Sequence, residues 1–418
     1  MKVFKFGGAS VEDAEGIRNI ARIISSEQDN LVIVVSAFGK TTNALERVLK
    51  LWMAGDKSYR EHLNDIYSYH ISVAGDLSEV AGKTEKREEL FFSELKDYLG
   101  KKVPGDYDFE YDQVVSYGEL WSTIIVAEYL ESTGVRPEWI DIRKLLITDE
   151  KYRDADIIWG QSLSKIREAF TFSRSNVCVT QGFIGGTISG RSSTLGREGS
   201  DYTAAVLGNM LDAKSVTLWK DVPGLMNADP KWLEGSEKLH EMSYREAVEM
   251  TFSGAKVIHP KTIKPLHNKN IPLYVKSFLH PDGTGTLVSA DPDLKKIIPV
   301  FIRKENQILI SFLPRDFSFV MGDNLSWIFN VFMDHGIKVN LVEASAVSID
   351  VCVDDDKPKL DSLLISLKDE FSAVYNENVE LLTIRHYTPE AITRITSDRE
   401  ILLEQRTRST VRFVVRRN

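Results

Sequence analysis

Short, continuous apolar runs alternate along the chain with longer stretches whose apolar residues recur at helical spacing. Val3–Phe6 reads as a first strand, and a helix from Asp13 carries Ile17, Ile20, Ala21 and Ile24 on one face. Leu31–Val35 is apolar throughout, the pattern of a strand buried on both sides of a parallel sheet. Strands are expected at Trp139–Ile142, Val177–Thr180, Val216–Trp219 and Leu273–Val275, with helical patterns between them. This alternation predicts an α/β domain whose ligands lie at the carboxyl ends of strands. Residues 57–100 interrupt it: Leu90, Phe91, Leu95 and Leu99 recur at helical spacing in a charged stretch, which reads as an inserted helical lid.

Pro281–Thr286 reads as the start of a linker, and from about residue 296 the pattern changes. Strands at Ile308–Phe312, Val339–Val342 and Ala346–Val353 surround helices near Leu325–Phe332 and Lys359–Lys368, a small α+β sandwich. A weaker set follows: Val379–Ile384, a short helix after Pro389, Ile401–Glu404 and Val411–Val415. Paired with Val300–Arg303 it would form a reduced copy of the same unit. The expected domains are therefore 1–290, with 57–100 inserted, and 296–418, the latter made of a unit at about 305–378 and a reduced one from 296–304 plus 379–418.

The candidate chemistry sits in the polar stretches at strand ends. Gly182–Ala205 is rich in glycine, serine and threonine, holds Arg191 and Arg197, and leads into a helical pattern. Its glycines would let backbone N–H groups approach a ligand, and Ser200 reads as the N-cap of a helix from Asp201, a favourable end for an anion. Gly185 to Ser192 approaches a phosphate-loop spacing, but arginine replaces the lysine and no helix follows directly, which excludes that motif. Lys5, inside an apolar strand just before Gly7 and Gly8, is the better phosphate lysine, because a buried ammonium calls for an anion. Further polar stretches are Ser36–Asn43, Lys220–Gly224 and Asn227–Lys231. His259, beside Pro260 at a helix end, reads as structural.

The composition is that of an ordinary globular chain, 43% hydrophobic and 27% charged. A net charge of −9 disfavours nucleic acid as a partner. No apolar run has the length of a membrane span, and the start does not read as a signal peptide. Cys178 and Cys352 lie in separate apolar runs, as buried thiols of a reducing cytoplasm.

Five motifs together resemble the aspartokinases of the amino-acid kinase family: Lys5–Ser10, Ser116–Glu119, Gly196–Ala204, Lys220–Gly224 and Gly254–Pro260. They occur in the family's order, and with Phe332–Ile337 and Asn340–Val347, which are similar to an ACT domain, the resemblance spans nearly the whole chain. It implies a three-layer α/β/α kinase domain with a mainly parallel sheet, then paired α+β ACT domains and no dehydrogenase domain. Two departures stand out: Ala9 where the family usually has threonine, and Glu198 where glycine is common.

The implied reaction is ATP-dependent phosphorylation of the L-aspartate β-carboxylate, with Mg2+. Lys5, Asp201 and Lys256 would be catalytic; Lys5, Gly7, Gly8, Ser10 and Lys256 would hold phosphates. Lys220, Asp221, Asp229 and Lys231 would lie on the adenosine side. Arg197 would grip the α-carboxylate and Glu119 the α-ammonium, with Thr42, Phe183 and Ser200 lining the pocket. No protein-bound metal site is expected. An amino-acid effector, lysine or threonine, would bind near Asn340 and Ser345, in a homodimer joined through the ACT domains. The alternatives are another amino-acid kinase, or an ACT-type sensor with a dead kinase domain.

Overall fold

The computed structural model describes residues 1–77, 84–255, 258–293, 297–316, 319 and 323–417. They form two compact units: 1–225, 238–248 and 257–293 make the first, and 226–237, 249–256 and 294–418 the second.

The first unit is built on an eight-stranded sheet. Its order is Glu138–Ile140, Val177–Gln181, Leu31–Val35, Lys2–Phe6, Ser215–Lys220, Leu273–Ser277, Thr286–Ser289 and Glu241–Ser243. The pairs are parallel except that of Leu273–Ser277 with Thr286–Ser289. Residues 281–285 are therefore a hairpin turn within this unit and not a linker, and the edge strand Glu241–Ser243 was too short to read from its pattern.

Strand alternation sorts the two faces. Phe4, Phe6, Ile33 and Val35 pack in one core cluster with Ile17, Ile20 and Ile24 of the helix Ala14–Ser25, which Asp13 caps, and with Ile125 and Leu130 of Tyr117–Ser132. Lys5, on the opposite face, reaches the helix Gly199–Met210. Helices thus cover both faces.

The insert is a packed layer with its own core. Helices Tyr59–Asp76 and Thr84–Lys101 bury Leu63, Ile66, Phe92, Leu95 and Leu99 against Leu45, Leu49 and Trp52 of Thr41–Met53. Phe92 takes the buried position expected for Leu90, which is 56% exposed. The buried His70 stacks on Phe38, and burial lowers its imidazole to about 4, so it is neutral at physiological pH.

The Gly182–Ala205 stretch also differs from expectation. Its first half forms a hairpin, Ile184–Thr187 with Ser192–Thr194, joined by Ile147–Thr148 into a three-stranded sheet. Gly186 is required by packing: a Cβ there would lie 2.1 Å from the Arg143 carbonyl oxygen.

The second unit carries a six-stranded antiparallel sheet in the order Val339–Ala344, Ile349–Asp354, Val300–Pro314, Phe371–Arg385, Thr410–Arg417 and Arg399–Arg406. The two central strands are long and pair along nearly their whole length, with a register shift near Lys304–Leu309. One half buries Phe312, Phe332, Ile349 and Leu363 beneath the helices Asp323–Asp334 and Lys357–Leu367. The other packs Phe301, Ile384 and Phe413 against Ile395 of Pro389–Thr396 and against Ala228 and Trp232. Among the described residues, no helix is long and apolar enough to cross a membrane. Cys178 and Cys352 are buried and unpaired, and burial pushes both thiols up to about 12.

Candidate active site

A cavity of about 530 Å3 opens in the first unit at the carboxyl ends of Lys2–Phe6, Leu31–Val35 and Ser215–Lys220. Of the residues expected from sequence, Lys5, Gly8, Thr42, Glu119, Phe183, Arg197, Ser200, Asp201 and Lys220 line it together.

Its charged end is a carboxylate between two ammonium groups. Lys5 Nζ lies 2.7 Å from Asp201 Oδ1, and Lys220 Nζ lies 3.2 Å from Oδ2. Both contacts are within ion-pair distance, so the carboxylate is clamped between the two ammonium groups. Burial alone would raise the Asp201 carboxyl; Lys5 and Lys220 overcome it and bring the group to about 2. Burial likewise opposes the Lys220 ammonium, and Asp201, then Glu198, more than offset it. Lys220 therefore stands beside Lys5, on the same carboxylate. Gly8 closes this end: a Cβ would meet the Ala37 and Gly39 carbonyls at 2.8 and 2.9 Å.

The helix carrying Asp201 begins at Gly199, earlier than a Ser200 cap predicts. Ser200 lies in its first turn, because Glu198 takes the cap position in a left-handed conformation, φ 55°. Glycine is the residue most at ease at that φ. Here the Glu198 carboxylate accepts the His259 backbone N–H at 2.9 Å. Close packing fixes the approach: a Cβ on Gly199 would lie 2.7 Å from the Phe183 ring, and one on Gly182 2.5 Å from Ser200 Cβ. His259 caps the helix Pro260–His267, its Nδ1 accepting the Lys261 N–H, which is the structural role its setting implied.

At the other end, Glu119 is 2% exposed on the first turn of Tyr117–Ser132. The Ala37 N–H donates to its Oε1 at 3.3 Å, while Oε2 has no hydrogen-bond partner among the described residues. Burial pushes the carboxyl up to about 8. A buried acid with an unpaired oxygen, on a residue that lines a cavity, suits a cationic ligand group. Thr42 stands at the start of Thr41–Met53, and Phe183 is held at φ 67°.

Sequence reasoning missed Tyr111 and Arg153, which line the same cavity. No motif marks either; Arg153 sits in a charged loop. Its backbone N–H donates to both oxygens of the buried Asp112 at 3.1 Å, and Asp112 also accepts the Thr194 N–H and hydroxyl at 2.7 Å.

Other expected residues lie elsewhere. Gly7 precedes the turn Gly8–Ser10, where Ser10 is buried; neither Gly7 nor Ser10 lines the cavity. Asp221 is exposed outside it. Asp229 and Lys231 belong to the second unit, where the Asp229 carboxylate accepts the Lys231 N–H at 2.9 Å within a turn. Lys256 falls outside the described residues. In the second unit, Asn340 bonds Gln307, Asp354 and Lys304, and Ser345 caps its own turn to Ser348. Among the described residues, no group of three or more His, Cys, Asp or Glu could hold a metal ion.

The amino acid kinase family profile matches residues 1–277. Lysine-sensitive aspartokinase 3 of Escherichia coli K12 is 32% identical over 383 residues, covering 90% of this chain and 84% of that one. The chloroplastic bifunctional aspartokinase/homoserine dehydrogenase 2 of Arabidopsis thaliana is 31% identical over 382 residues, but this chain spans only 42% of its length. Among solved structures, E. coli aspartokinase III in complex with lysine and aspartate (T-state) superposes with a TM-score of 0.81 at 28% identity, covering 99% of this chain and 96% of that one. The same enzyme in complex with aspartate and ADP (R-state) gives the same values. These likenesses agree with the two-part architecture, a kinase fold followed by an ACT-type antiparallel sheet with helices. The chain belongs to the amino acid kinase family and, within it, to the aspartokinases.

Proposed function

We propose that this chain transfers the γ-phosphoryl group of ATP to the β-carboxylate of L-aspartate, giving 4-phospho-L-aspartate and ADP. The step would open lysine, threonine and methionine biosynthesis in the cytoplasm. The observation that carries this reading is the joining, in one cavity, of the Lys5–Asp201–Lys220 cluster with Glu119 and Arg197. The first is a site for phosphate oxygens, and the second pair suits an amino acid.

A carboxylate is already anionic, so no general base is needed. A β-carboxylate oxygen attacks the γ-phosphorus, the bond to the ADP oxygen breaks, and the electron pair leaves with ADP. Positioning and charge neutralisation are the protein's tasks. Lys5 and Lys220 would take phosphate oxygens, with Gly7 and Gly8 supplying the turn beneath them. Asp201 holds both ammonium groups in place by ion pairing. It is the carboxylate beside these phosphates that a Mg2+ shell would meet, and the ion would supply charge neutralisation there. Lys256 would reach the phosphates from another side, and Asp221, Asp229 and Lys231 the adenosine. Glu119 would take the α-ammonium and Arg197 the α-carboxylate, with Thr42, Phe183 and Ser200 around them.

The second unit would bind lysine or threonine near Asn340 and Ser345 and join two chains. The aspartokinase III complex with lysine and aspartate supports an amino-acid effector as a class.

The test is an ADP-release assay over aspartate, glutamate, N-acetylglutamate, carbamate and UMP, with hydroxylamine added to trap acyl phosphate. ADP release and hydroxamate with aspartate alone are expected. Turnover with another acceptor would transfer the chain to a different amino-acid kinase; no turnover with any would leave the sensor reading.

A further inference from the structure

Arg153 is an exposed loop arginine with three features that set it apart. Its backbone is left-handed, φ 68°, at a residue that is not glycine. That conformation is locked by both oxygens of Asp112, a fully buried carboxylate that also grips Thr194 of the hairpin strand. Its guanidinium is laid over aromatic faces, 4.7 Å from the centroid of Tyr111 and 5.5 Å from that of Tyr107. Arg153 and Tyr111 both line the cavity that holds Glu119 and Arg197. One hydrogen bond anchors the head group, from Nη1 to Asp108 Oδ1 at 3.1 Å. Its remaining N–H donors have no protein partner among the described residues.

Glu119, Glu198, Arg153 and Arg197 all line this cavity, so Arg153 supplies a second guanidinium beside that of Arg197. The acceptor's reacting carboxylate must meet the phosphate beside Lys5 and Lys220, so its other carboxylate faces the arginines.

We propose that Arg153 is a substrate-specificity residue, a second arginine that, with Arg197, holds the non-reacting carboxylate of the acceptor amino acid. Asp112, through the Arg153 backbone, is the positioning residue. This assignment rests on aspartate being the acceptor. Arg153 neither donates nor accepts a proton and enters no bond change; it fixes one end of the acceptor.

Arg153→Gly is the informative variant, because glycine suits the left-handed backbone and removes only the side chain. Losing a charge-assisted contact should raise KM for aspartate roughly ten- to hundredfold. KM for ATP and the melting temperature should stay near wild type. Aspartate α-amide, which keeps the β-carboxylate but lacks the charge Arg153 would grip, should react poorly with wild type and lose little more with Arg153→Gly. Asp108→Ala separates this role from a structural clamp. It frees the guanidinium, so KM for aspartate should be unchanged or lower, whereas a clamp predicts that Asp108→Ala copies Arg153→Gly.

The proposal is overturned if Arg153→Gly leaves KM for aspartate unchanged, raises that for ATP equally, or weakens the α-amide as much as aspartate. It is overturned as well if Asp108→Ala copies it. Failure of wild type to phosphorylate aspartate would instead remove the functional reading beneath it.

Discussion

Glu119 should make aspartate binding depend on pH in a way the structure quantifies. Burial disfavours the anion and raises the Glu119 carboxyl to about 8, and backbone N–H groups give little relief. At pH 7 the free protein therefore holds it about ten-to-one protonated, and ionising it costs about 1.4 kcal/mol. An α-ammonium beside Oε2 needs the anion, so aspartate must drive that proton off. Apparent affinity should rise about eightfold between pH 7 and 8.5. Calorimetry at pH 7 in buffers of different ionisation enthalpy should show about 0.9 proton released per aspartate bound. Glu119→Gln should abolish both the slope and the release and weaken aspartate by roughly ten- to hundredfold. The same group acts on stability with the opposite slope. Its folded pKa is raised from 4.5 to about 8, so the folded chain binds the extra proton across that window and loses stability as pH rises through it. Glu119→Gln should remove that loss. A flat affinity from pH 7 to 8.5 with no proton release would mean that Glu119 is ionised before aspartate arrives, and the assignment would fail.

Lys5→Ala should lower kcat on the order of 10²-fold, since it removes one of two ammoniums at the phosphate end; near-normal turnover in folded protein would refute its role. Asp201→Asn should lose about 2 kcal/mol in urea unfolding at pH 7, from a carboxyl depressed from 3.8 to about 2. That stability is fully present above 3.8 and fades only as pH falls through the folded value, so a deficit that shrinks between pH 7 and 5 would contradict it. Arg197→Lys should raise KM for aspartate more than KM for ATP; the reverse would place Arg197 at the nucleotide. Ser345→Leu should leave kcat near wild type without effector and raise the lysine or threonine concentration needed for inhibition, whereas unchanged inhibition curves would move the effector site elsewhere.

The site was legible where chemistry conflicts with its surroundings. Lys5 in an apolar strand is a charge that a core does not accept without a reason, whereas Glu119, at a helix start, entered only through the family resemblance; both line the cavity. The parallel sheet was legible because strands buried on both faces must be apolar throughout. Reading failed where one residue type serves two ends. Gly185 and Gly186 were taken as ligand-cradling loop, yet they permit a hairpin to press against the Arg143–Leu146 backbone. Arg153 was invisible because nothing local distinguishes it; only a buried carboxylate far along the chain, Asp112, fixes its backbone. Glu241–Ser243 and Thr286–Ser289 were missed because three or four residues give too short an alternation to detect.

The second unit is discontinuous in sequence, and this has a consequence for synthesis. Residues 226–237 leave the ribosome long before Val300–Pro314 and Thr410–Arg417, yet Ala228, Trp232 and Leu233 share a core cluster with Phe301, Val411 and Phe413. Until the last strand emerges, this apolar surface lacks its cover, so a nascent chain passes through a long interval in which it is exposed to chaperones and to other chains. Truncating the chain before residue 410 would make that interval permanent. Such a shortened protein would then be limited first by its yield of folded chain.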